Sequence, residues 1–89
     1  MAVMAPETPL FYTLRTVARI LGVNEKTVRS YHKNGRLAAF TLGNRLQFEE
    51  NNLLDFMGVH RTPKMNDIER ESLRSEMREI RESMTYGDD

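Results

Sequence analysis

Lys26, Arg29, Ser30 and Lys33 fall on one side of a helix at 3.6 residues per turn. Three cations and a hydroxyl in that pattern suit phosphates and base edges, not bond breaking. Thr27 and Glu25 lie at the edges of the same face. Val28 and Tyr31 occupy the opposite side and are expected to face a core. A polar helix face is commonly only a solvated surface. The turn before this one and the basic ribbon after it favour duplex DNA as its ligand.

The elements that must hold this face run from Thr13 to Gly35. Thr13 is a suitable N-cap for a first helix. Leu14, Val17, Ala18 and Leu21 make one apolar stripe on that helix, with Arg15, Thr16 and Arg19 off it. Arg15 is counted with the DNA-contacting residues. Ala18 is small enough to let two helices cross closely. Gly22 can take a positive φ, so the first helix can stop there without strain. Asn24 can cap the second helix, and Gly35 suits the position just past its end.

Two β-prone runs follow, Leu37 to Leu42 and Arg45 to Phe48. They flank Gly43-Asn44, a hairpin turn signal. The expected product is a short basic wing carrying Arg36, Asn44 and Arg45, with Phe40 and Phe48 anchoring it. Asn44 and Arg45 at its tip are expected to touch DNA. Glu49 to Met57 reads as a third short helix with acids in its first turn. Gly58 to Lys64 reads as a linker broken by Pro63.

The last segment is rich in good helix formers and can be capped by Asn66 or Asp67. Leu73, Met77, Ile80 and Met84 form a narrow apolar seam at 4-3-4 spacing. Arg70, Arg74, Arg78 and Arg81 line one flank; Glu69, Glu76, Glu79 and Glu82 line the other. The seam suits protein–protein contact, with another chain's Arg column facing this chain's Glu column. Folding back on its own domain is the alternative. A lone helix of this length is marginal in water, so either way it needs a surface to hold it.

The chain is 89 residues long with zero formal net charge, which bounds it to one small domain with a modest core. Neutrality hides a split. Residues 1–64 carry +4 and residues 65–89 carry −4. Cysteine is absent, which excludes disulfides and thiolate metal sites. The N-terminal MAVMAPETPLF lacks a basic start and a long apolar run, so neither a secretory signal nor a membrane span is expected. The expected organisation is a leader over residues 1–12, a winged helix-turn-helix over 13–57, a linker over 58–65 and a C-terminal helix over 66–85. The fold class is mainly α with a small β-hairpin.

Catalysis is not expected. His32 and His60 are the only histidines; one is expected beside the core and one in the linker, and neither has metal-ligand spacing. Glu49-Glu50 reads as a helix start rather than an acid/base pair. No metal and no cofactor is expected.

The stretch YTLRTVARILGVNEKTVRSYHKNGRL, then GNRLQF and NNLLDFM, resembles the winged-helix excisionases of temperate phages. It is also similar to the DNA-binding heads of MerR-type regulators. The resemblance covers residues 12–57. It implies that Lys26, Thr27, Arg29, Ser30 and Lys33 enter a major groove, and that Asn44 and Arg45 reach the adjoining minor groove. Several relatives carry a second basic residue where this chain has Ser30, which implies weaker base readout. An excisionase would be a DNA-bending accessory protein that binds attachment-site repeats in the cytoplasm of a host bacterium. It would self-associate on DNA, with a homodimer through the C-terminal helix as one route, and steer a phage integrase toward excision. A small MerR-like transcriptional regulator is the alternative. A third reading, an interaction adaptor working through the C-terminal helix, requires a head with no DNA affinity.

Overall fold

The computed structural model describes residues 10–59 and 63–84. The expectations for residues 1–9, for His60 and for residues 86–89 lie outside the described residues. Phe11–Thr13 form β1, Leu14–Leu21 α1, Glu25–Lys33 α2, Phe40–Leu42 β2, Arg45–Glu49 β3, Glu50–Val59 α3 and Asp67–Ser83 α4. The result is a mainly helical domain with a three-stranded antiparallel sheet of order β1-β3-β2.

Local chemistry explains the helix ends. The Thr13 hydroxyl accepts from the Thr16 N–H at 3.2 Å and Asn24 accepts from the Thr27 N–H at 2.8 Å, so each cap satisfies a donor that has no partner inside its helix. Gly22 and Gly35 take φ of +73° and +78°. There, Val23 N–H reaches Ala18 O at 3.0 Å and Arg36 N–H reaches Tyr31 O at 2.9 Å. Both helices thus close with the left-handed glycine end that satisfies their last carbonyls. Asn66 and Glu69 cap α4 reciprocally, a pairing that serves two orphan donors at once.

Tyr12, Val17, Val28, Leu37, Phe48, Leu53, Leu54 and Met77 are buried together. This core joins all three layers: the sheet, the α1–α2 pair and the α3–α4 pair. Phe48 anchors the wing from within. Phe40 does not: it is 53% exposed and rests on Phe11 with ring centres 5.8 Å apart.

Two expected boundaries move, and α4 takes one of its two expected places. Residues 11 and 12 are not leader. They belong to β1, where Tyr12 is opposite Phe48 and Phe11 opposite Glu49. A three-residue strand carries no periodicity of its own; its partner creates it. Gly58 and Val59 belong to α3 rather than to the linker. Gly58 is buried, and a Cβ there would come within 3.2 Å of the Met65 methyl, so Met65 lies against α3. Lastly, α4 does not stand apart as a separate unit. It packs on α1 and α3, which is the intramolecular alternative.

Candidate nucleic-acid interface

The second helix is divided as its spacing requires. Val28 is fully buried and the Tyr31 ring packs on Phe56 at 5.1 Å between centres. Lys26, Arg29, Ser30 and Lys33 are exposed. His32 sits beside the core: its Nδ1 donates to the Leu37 carbonyl at 3.1 Å and its edge meets the Phe48 ring. Its ring therefore fixes the loop that follows α2. Thr27 is half-buried, and its hydroxyl donates to the Asn24 side chain at 2.9 Å. That hydroxyl is committed to the cap and retains only acceptor capacity for an outside group.

The wing is a two-residue hairpin. Leu42 pairs with Arg45 across Gly43 and Asn44. Arg45 starts β3 and is exposed. The hairpin and the helix pair enclose a cleft. Arg15 of α1, Glu25 and Arg29 of α2, and Asn44, Arg45 and Gln47 of the hairpin all line it. So four expected contact residues, Arg15, Arg29, Asn44 and Arg45, are brought to one concave surface. Lys26, Ser30 and Lys33 lie outside that cleft lining, on the open face of α2. Gln47 and Glu25 also line the cleft, beyond the contact residues that spacing nominates. Gln47 was legible in principle, because it alternates with Arg45 on β3.

The seam residues behave differently. Met77 is fully buried in the chain's own core, and Leu73 packs against that core. Met77 is therefore not free to serve as a partner surface, and Leu73 is half-buried. Ile80 and Met84 are half-buried. The arginine flank is also turned inward, not toward a second chain. Arg70 pairs with Asp55 at 2.9 Å. Arg74 reaches Asn51 at 3.2 Å and pairs with Glu71. Arg81 donates through Nε to the Phe11 carbonyl at 3.0 Å.

Glu50 is the hub of that docking, and it is only 1% exposed. Arg78 grips both its oxygens, at 2.8 and 2.7 Å. The Tyr12 hydroxyl donates to Oε2 at 2.6 Å, and Arg74 stands 3.5 Å away. Burial alone would raise the Glu50 carboxyl, but the Arg78 and Tyr12 hydrogen bonds and the Arg78 charge hold it below the ordinary value. The same burial, then the Glu50 contact, push the Tyr12 phenol up. The Glu50 contact raises Arg78. Glu50 thus opens α3, as its position in the sequence suggests, and is a structural anion as well. The signal for it was an arginine column beside the seam, which needs acids opposite it.

Among the described residues, no group of three or more acids and histidines stands close enough to hold a metal ion. Among them too, no helix is long and apolar enough to cross a membrane.

A family model described as a helix-turn-helix domain matches residues 11–58. No curated protein and no solved structure matches the chain.

Proposed function

The chain belongs to the helix-turn-helix domain family, and from that premise we propose that it is a duplex-DNA-binding accessory protein of the excisionase kind. The observation that carries the reading is the shared cleft: Arg29 of α2 and Arg45 of the wing line one concave surface with Arg15 and Asn44. In this reading α2 enters a major groove, with Lys26, Arg29, Ser30 and Lys33 forward, and Asn44 and Arg45 take the adjoining minor groove. Phosphates supply most of the affinity. Arginine in a narrow minor groove reads shape, which suits a protein that bends its site.

The excisionase reading is preferred to a MerR-like regulator because α4 is spent on its own domain. Met77 and the arginine flank are used inside the chain, whereas MerR-type regulators dimerise through long helices. Assembly then occurs on DNA, between heads at adjacent repeats, with an integrase as the further partner. Footprinting on attachment-region DNA tests this. Protection of tandem sites, with bending seen by phase-dependent gel mobility, is expected. Protection of a single two-fold operator over a promoter would move the assignment to a regulator.

A further inference from the structure

We propose that α4 is a brace that sets the wing against α2, with Arg81 and Arg78 as positioning residues for the DNA contact of Arg45. The inference rests on the DNA-binding reading above.

The path is short and continuous. Arg81 holds the β1 backbone through the Phe11 carbonyl, and its guanidinium lies over the Tyr12 ring, 5.9 Å from its centre. Arg78 holds Glu50, the first residue after β3. Tyr12 joins the two grips through its hydroxyl bond to Glu50. The Glu50 N–H closes the set by donating to Leu10 O at 2.9 Å. Thus α4 clamps β1 and the β3–α3 junction together.

That clamp bears on the wing because β3, the wing's inner strand, pairs directly with β1. A two-stranded hairpin is marginal by itself. β2 is exposed along its length, so it cannot orient the hairpin. β3 is held in place by β1, in the register Phe11–Glu49, Tyr12–Phe48 and Thr13–Gln47. The far end of β3 is Arg45. β1 also runs straight into α1, and Thr13 is both its last residue and the α1 N-cap. One strand therefore fixes the spacing between the helix pair and the wing, and α4 holds that strand through Arg81.

A double-mutant cycle on DNA affinity tests the brace in the full chain. Arg81→Met is combined with Arg45→Ala, and separately with Lys33→Ala. Positioning predicts coupling in the first pair alone. Arg45→Ala then costs about tenfold in the parent and under about threefold beside Arg81→Met, because the wing contact is already lost. Lys33→Ala costs the same in both backgrounds. Equal costs for Arg45→Ala in both backgrounds overturn the brace. So does equal coupling to both sites, which marks general loosening of the fold. Should Arg81→Met melt below the assay temperature, Arg81→Lys, which keeps the charge and loses the Nε–H, carries the same cycle. A parent chain that fails to bind any duplex defeats the DNA reading itself, a result separate from absent coupling.

Discussion

A carboxylate shut away from water stays ionised only if its neighbours replace the water it has lost. Glu50 meets that condition through Arg78 and Tyr12, and the balance has consequences at single residues. Arg78 is 40% exposed whereas Glu50 is 1% exposed, so the two partners are not equivalent. Removing Arg78 strands a buried anion. Arg78→Ala is expected to cost about 3 kcal/mol at neutral pH, the low end for a broken buried pair because Arg74 stays near. Since the Glu50 carboxyl is held below its ordinary 4.5, its contribution is complete above that value and is lost as pH falls through the lower folded value. Thermal melts should therefore show the gap between the parent and Arg78→Ala closing in acid, as pH falls through the lowered folded value of Glu50. A gap that stays constant from neutral to acid pH contradicts this assignment. Asn24→Ala is a second residue-scale case. It removes the acceptor that holds the first turn of α2, and a stability loss of about 1 kcal/mol is expected in denaturant titration.

Among the elements, α4 departs furthest from what spacing alone predicts. Read as a sequence, its seam suits a partner as well as its own domain, because a 4-3-4 pattern records that one face is apolar and not what covers it. The structure answers with Met77 in the core and four arginines against α3 and β1. With α4 seated, truncation after Lys64 removes part of the domain's own core. The cut opens the core at Met77 and leaves Glu50 buried without Arg78. A deletion of that size in so small a core is expected to abolish the cooperative melt of the remaining domain. Circular dichroism of the truncated chain checks it; a sharp transition close to that of the full chain would mean α4 is dispensable to the fold.

The helix-turn-helix itself was legible because its signals are local. Thr13 and Asn24 lie where a cap must be, Gly22 and Gly35 where a helix must end, and Gly43-Asn44 where a hairpin must turn. Each acts within five residues of its partner. β1 and the Glu50 hub were not legible for the converse reason. Tyr12 and Glu50 stand 38 residues apart and Arg78 a further 28. No spacing rule relates residues that distant. Of the candidate contact residues, the four in the cleft follow from α2 and the wing meeting across β3, which two separate local patterns do not reveal.

For the molecule as a whole, the central claim is electrostatic. A chain with no net charge binds a polyanion only if its cations are gathered on one side. Arg15, Lys26, Arg29, Lys33 and Arg45 are all exposed on the helix pair and wing. The α4 arginines are turned to their own domain, while Glu69, Glu76, Glu79 and Glu82 are exposed. Titrating a duplex with the full chain across a range of salt concentrations tests the claim most directly. If those five cations engage phosphates, the logarithm of the affinity falls linearly with the logarithm of salt, with a slope of about −4.5. Affinity that stays flat from low to high salt, or no binding at low salt, would contradict the account.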